Sequence, residues 1–137
     1  MQSDHRLLAL DVGTKRIGVA VAGVYSKIAR PFTTLANDDT FLAKLQQIIS
    51  DENVTQVVSG LPQNNSGSDT LQTKIVRDFV DYLEKQLSIK IDFQDEGLSS
   101  MAAEDLLKIK KPNYTKSDID AWSAMIILDD YIAERGL

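Results

Sequence analysis

The sequence predicts a layered α/β domain built on a mixed, five-stranded sheet flanked by helices. Three observations predict it. Two apolar runs near the start, Leu7–Val12 and Ile17–Val24, are separated only by the turn Gly13-Thr14-Lys15-Arg16, and read as a hairpin. Beyond them, short β-rich segments alternate with longer stretches whose apolar residues recur at helical spacing. The 137 residues suit one domain, 1–137, that buries roughly two-thirds of its unfolded surface.

Each element has its own signal. Leu7–Val12 is nearly all apolar, as a central strand covered on both faces must be, and only Asp11 interrupts it. Ile17–Val24 carries small and β-branched residues. The stretch from Arg30 to Leu35 is a weaker third strand, and Pro31 favours an edge position because it cannot donate to a ladder. Asp38 or Asp39 can cap a helix from about Thr40 to Glu52, with Leu42, Leu45, Ile48 and Ile49 on its apolar face. Val57 and Val58 mark a short strand from Gln56 that ends at Gly60, and turn formers follow from Pro62 to Ser68. The clearest helix carries Leu71, Ile75, Phe79, Leu83 and Leu87 four apart, with Val76 and Val80 beside them. From Ile89 to Gln94 the residues alternate as a half-buried strand. Ser99 or Ser100 starts a helix to about Lys108, the segment 110–116 with Pro112 is expected to be a mobile loop, and Ser117 opens a final helix, apolar from Ala121 to Leu128. Trp122 lies inside that apolar run and is expected in the core.

Composition narrows the function. Without cysteine there is no disulfide, thiolate zinc site or cysteine nucleophile, which suits a reducing cytoplasm. The residues before the first strand are polar or charged and no apolar stretch approaches the ~20 residues of a membrane helix, so neither a signal-peptide core nor a membrane partner is expected. With 15 Lys and Arg against 20 Asp and Glu, the net charge of −5 argues against coating nucleic acid by bulk electrostatics. It leaves room for a site that gathers acids at its centre and keeps its basic groups on a rim. Lys15 with Arg16, Lys27 with Arg30, and Lys108, Lys110, Lys111 and Lys116 are local basic groups. The single histidine, His5, belongs to the polar start and is expected to be exposed.

Three acids stand where apolar elements end. Asp11 lies inside a buried strand, where an ionised carboxylate is costly unless it is paired or bound to a metal; it could also simply accept hydrogen bonds from the following turn. Asp95-Glu96 closes the alternating strand, and parity places Glu96 with Lys90, Asp92 and Gln94, a face that would be solvated. Asp120 follows Ser117 by three, a spacing that resembles a capping box. Taken together, three carboxylates delivered to one sheet edge would suit Mg²⁺ or Mn²⁺, which take oxygen ligands together with water and substrate phosphate. Two such ions about 4 Å apart could activate water and stabilise a leaving oxygen in attack on phosphorus.

The run from Leu8 to Ala20, with Asp11-Val12-Gly13-Thr14-Lys15-Arg16-Ile17-Gly18 at its centre, resembles the opening of the YqgF/RuvX family of Holliday-junction-resolvase-like proteins and pre-16S rRNA nucleases. Gly60-Leu61-Pro62 with Asn64 and Gly67 is similar to that family's central loop. Asp95-Glu96 before Leu98-Ser99-Ser100 resembles its second acidic motif, and Asp120-Ala121 before Ala124 its last. The resemblance implies a ribonuclease-H-like fold and a divalent-metal hydrolase of phosphodiester bonds, acting in the cytoplasm on the 5′ end of the 16S rRNA precursor in ribosome biogenesis. By matching positions it implies Asp11, Glu96 and Asp120 as catalytic and metal-binding acids. Gly97 departs from the pattern where the family has Arg, and Ser66 where an acid is common before Gly67.

Supporting groups follow from chemistry. Gly13, Thr14, Lys15 and Arg16 can touch substrate phosphate, as can Asn64, Gly67 and Ser68 ahead of the next helix, whose unpaired N–H groups favour anions. The partner expected is nucleic acid, an RNA precursor or branched DNA, and the chain is expected to be a monomer or weak dimer. Two alternatives stand beside the rRNA nuclease: a Holliday-junction resolvase, and a nucleic-acid or ribosome-binding factor with little catalysis. Asp11-x-Gly13-Thr14 also resembles the phosphate loop of sugar kinases and actin-like ATPases, but those need a second lobe for which this chain has no room.

Overall fold

The computed structural model describes residues 5–63 and 68–136. Strand β1 (Arg6–Val12) pairs antiparallel with β2 (Arg16–Gly23), which pairs antiparallel with β3 (Ala29–Ala36). Helix α1 (Phe41–Asp51) leads into β4 (Val54–Leu61), parallel to β1, and α2 (Leu71–Leu87) leads into β5 (Ile91–Asp95), parallel to β4. Helices α3 (Ser99–Lys110) and α4 (Lys116–Arg135) complete the chain. The strand order is β3-β2-β1-β4-β5, so the mixed five-stranded sheet expected from the sequence is present and β3 is indeed an edge. Pro31 sits at a register shift in β3, where a missing donor does least harm.

The sheet has two faces and two cores. Leu8, Leu10, Ile17, Val19, Val57 and Ile91 pack against α1 and α2 through Phe41, Leu45, Val76, Val80 and Leu83. Leu7, Ala9, Ala20, Ala22 and Val58 pack against α4 through Ala124, Ile127, Leu128 and Tyr131. Leu8 and Leu10 are fully buried, each contributing roughly 2 kcal/mol. That burial pins β1, and the residue after Leu10 is Asp11. Ala9, Ala20 and Ala22 make most of the α4 side of β1 and β2, which lets α4 lie close to the sheet.

Several local expectations are corrected. In α2 the buried face is Thr73, Val76, Val80 and Leu83, while Leu71 and Ile75 are exposed. Four residues overshoot a helical turn by roughly 40°, so a strict four-residue stripe winds off the core. Helix α2 runs from Leu71, the first residue of the expected stripe, with Thr70 as its N-cap in a capping box with Thr73. Asp38 does not cap α1; it folds back to accept hydrogen bonds from the Thr40 amide and hydroxyl, at 2.9 and 2.6 Å. Helix α4 opens at Lys116, and its capping box joins Thr115 to Asp118, not Ser117 to Asp120. The segment expected to be a loose loop shrinks to residues 111–115 and is tied down, with Tyr114 donating its hydroxyl to Glu104 and Lys111 Nζ lying 3.1 Å from Asp118. Among the described residues, no helix is long and apolar enough to cross a membrane.

Candidate active site

Three elements deliver the three acids to one end of the sheet. The parallel pairing of β1, β4 and β5 places Asp11, near the end of β1, on the same edge as Glu96, which follows β5 directly. The Glu96 amide donates to the Leu61 carbonyl at the end of β4. Asp120 is the fifth residue of α4 and lies on the face of the sheet to which Asp11 points.

Two glycines make that convergence possible. Gly18 is the β2 partner of Asp11, and a β-carbon there would stand 1.9 Å from the Asp120 carbonyl oxygen. The backbone of α4 therefore rests directly on β2 beside Asp11, at a spacing only glycine permits. On the other flank, a β-carbon at Gly60 in β4 would lie 2.8 Å from Glu96 Oε2 and 2.7 Å from Ile127 Cδ1. The carboxylate of Glu96 thus folds over β4, in the space Gly60 leaves. The sequence places Gly18 in the first motif and Gly60 at a strand end, but neither was assigned this role. The signal was there: a glycine within an otherwise β-branched, apolar strand marks a close approach.

The face carrying Glu96 is not the solvated one that parity alone suggested. Tyr131 of α4 donates to Asp92 at 2.7 Å, and Gln94 donates to Glu134 at 2.7 Å, so α4 covers that side of β5. Gln94 is buried. Polar residues line this face because they bond to the helix above, a distinction that period-two alternation cannot make.

Electrostatics bear the strain of three acids close together. The Asp11 carboxyl is pushed up from 3.8 to about 7, first by burial, then by the charges of Glu96 and Asp120. The Glu96 carboxyl is also raised, by burial and by Asp95. Asp120 is engaged differently: Arg16 Nε donates to its Oδ2 at 2.6 Å, an ion pair between the start of β2 and the first turns of α4. Because Asp118 takes the capping role, the Asp120 side chain is free for this contact.

Among the described residues, no three Asp, Glu or His side chains already stand at the spacing of a common ion. The donor set nevertheless suits a hard divalent cation: it is all carboxylate, burial and like charge push the Asp11 and Glu96 carboxyls up, and a cation would relieve both effects. Asp11, Glu96 and Asp120 are the side chains that would hold it.

The expected phosphate contacts are unevenly placed. Gly13, Thr14 and Lys15 form the hairpin tip immediately beyond Asp11 and Val12, with Thr14 and Lys15 exposed. The turn is braced by Gly13 donating to the Arg16 carbonyl at 2.9 Å and by the Asn37 side chain donating to the Gly13 carbonyl at 2.8 Å. Ser68 is exposed ahead of Thr70, while Asn64 and Gly67, together with Ser66, lie outside the described residues. Gly97 adopts a left-handed conformation, φ +51°, in open space. Trp122, expected in the core, is only half-buried and belongs to neither apolar cluster.

Comparison with known proteins agrees with this architecture. Residues 5–134 match the family model RuvX, described as Holliday junction resolvase. A protein of Chloroflexus aurantiacus named "Putative pre-16S rRNA nuclease" is 38% identical over 137 residues, covering 97% of this chain and 90% of that one. A protein of the same name from Maridesulfovibrio salexigens is 37% identical over 132 residues, covering 93% and 98%. Among solved structures, T. thermophilus RuvC in complex with Holliday junction substrate superposes with a TM-score of 0.54 at 11% identity, over 96% of both chains. At that identity the likeness concerns the fold, which is ribonuclease-H-like.

Proposed function

The chain belongs to the RuvX family, and we propose that it is a nuclease hydrolysing phosphodiester bonds in the 16S rRNA precursor with the help of Mg²⁺ or Mn²⁺. Asp11, Glu96 and Asp120 would hold the ion. When bound, a divalent cation would supply Lewis acidity at phosphorus and lower the pKa of water toward neutral pH. In the overall reaction water adds to phosphorus and the 3′ oxygen departs, leaving a 5′-phosphate and a 3′-hydroxyl. The chain's own groups orient the strand: Thr14 and Lys15 at the hairpin tip meet the phosphate backbone, and Arg16 reaches it when not held by Asp120.

One observation carries the reading. Asp11 lies between two glycines whose missing side chains admit Asp120 and Glu96, and its carboxyl is pushed up to about 7 by burial and by those two charges. Such crowding of like charge is unfavourable in an empty fold and useful around a cation. The test is cleavage of a precursor rRNA fragment by the wild type and by Asp11→Asn, with Mg²⁺, with Mn²⁺ and in EDTA. Cutting by the wild type that needs metal and is lost in the variant is the expected result. Equal cutting by both proteins would remove Asp11 from the chemistry, and binding with no cleavage under any metal would leave a binding factor.

The description of the family model favours a second reading, resolution of four-way junctions. That activity needs two sites on opposite strands and hence a symmetric dimer. Sedimentation showing only monomer at working concentration counts against it.

A further inference from the structure

We propose that the cleft between the edge strand β3 and the start of α4 binds an unpaired nucleobase of the substrate strand. The cleft has a volume of about 400 Å³ and is lined by Phe32, Thr33, Thr34, Ser117, Asp118 and Trp122. Its two aromatic residues are where folding alone gives no reason for them. Phe32 falls at the register shift in β3: Val19 pairs with Thr33 and Ala20 with Pro31, so Phe32 is left out of the ladder and is 39% exposed. A bulge of this kind re-aims a side chain. Trp122 stands half-exposed on a helix whose next two residues, Ser123 and Ala124, are fully buried.

The cleft adjoins the acids. Ala121, next to Asp120, lines it, and Thr34 pairs with Gly18, over which the Asp120 carbonyl rests. The Thr34 hydroxyl donates to the Ser117 carbonyl at 2.6 Å, tying β3 to α4 at this point. Charge favours a polyanion carrying flat rings. The cleft's one carboxylate, Asp118, is occupied by the Thr115 amide at 2.9 Å and by Lys111 at 3.1 Å, and Lys116 is exposed beside Ser117. A peptide adding itself to β3 is disfavoured, because Pro31 lacks a donor and the bulge breaks the edge ladder. Base–aromatic stacking needs no such ladder and tolerates any base.

The proposal rests on the nuclease reading only for the identity of the strand. Trp122 is the sole tryptophan, so its emission reports on the cleft directly. The experiment titrates Asp11→Asn protein in EDTA with a short single-stranded oligoribonucleotide, and with an abasic strand of the same length. Saturable quenching by the first and little by the second is expected. Phe32→Ala should weaken binding of the base-containing strand about tenfold, and Phe32→Tyr should restore it. Equal quenching by the abasic strand, or unchanged affinity in Phe32→Ala, would overturn the cleft while leaving metal-dependent cleavage by the wild type standing. Base-dependent quenching in a protein that never cuts RNA would support the cleft and sink the nuclease reading.

Discussion

Gly18→Ala is the sharpest probe of how the acids are brought together. A β-carbon at this position meets the Asp120 carbonyl oxygen at 1.9 Å and its carbon at 2.3 Å. To reach even the 3.0 Å that is the shortest spacing real β-carbons show, the two backbones must separate by about 1.1 Å. Neither can yield cheaply: Gly18 lies in a ladder between Asp11 and Thr34, and Asp120 lies within a continuous helix. Overpacking of this kind costs typically 1–3 kcal/mol, and the upper end is expected because both partners are main chain. The shift falls on the turn that carries Asp120, and misplacement of a reacting group by about 1 Å costs on the order of 100-fold in rate. Urea denaturation read by Trp122 fluorescence gives the first quantity, and initial rates on a precursor rRNA fragment the second. Gly60→Ala is the contrasting control, since its new methyl meets side-chain atoms rather than main chain, Ile127 Cδ1 at 2.7 Å, Glu96 Oε2 at 2.8 Å and Glu96 Cβ at 3.4 Å; it should lose activity at a stability cost of about 1 kcal/mol, the low end of overpacking. A Gly18→Ala protein as stable and as fast as the wild type would refute the argument that α4 is seated on that glycine.

Further predictions concern charge. Asp11 titrates near 3.8 when unfolded and near 7 when folded, so between those values the folded protein holds a proton that the unfolded chain has released. Stability of the metal-free protein should therefore fall from pH 5 to pH 8, by on the order of 3 kcal/mol from this group. Asp11→Asn should flatten the profile, and a wild-type profile already flat in EDTA would contradict the burial reading. Arg16→Ala, which removes the 2.6 Å pair with Asp120, should weaken RNA binding and lower the slope of log affinity against log salt by about one. Arg16→Lys should restore the slope but not the full affinity, because Lys lacks the planar fork; an unaltered slope in Arg16→Ala would place Arg16 off the strand. Gly97→Arg puts a side chain into open space at φ +51°, at a cost of about 1–2 kcal/mol. It should raise the cleavage rate if the missing Arg limits this protein, and a slower melt with no faster cutting would show that it does not.

The alternation of apolar runs was enough to predict the strands and helices, because burial on one or two faces imposes its period on the sequence. Asp11 stood out in β1 for the same reason: a charge in an apolar strand is conspicuous. Glu96 and Asp120 stood out only as acids at the ends of apolar elements, and the resemblance was needed to choose them, since parity assigned Glu96 to a solvated face and spacing assigned Asp120 to a helix cap. Tertiary structure reversed both. Helix α4 covers the polar face of β5 through Tyr131 and Gln94, and Thr115 with Asp118 takes the cap. Which polar face lies under a helix, and which of several hydroxyls begins one, depends on contacts between residues far apart in the chain. The same holds for Arg16 with Asp120, separated by 104 residues, and for the Phe32–Trp122 cleft. The sequence alone determined the fold class and the presence of buried charge, because these follow from local period and from desolvation. Only the folded chain decided that Gly18 and Gly60 seat the other two acids beside Asp11, because the space a missing β-carbon leaves has no meaning until another element occupies it.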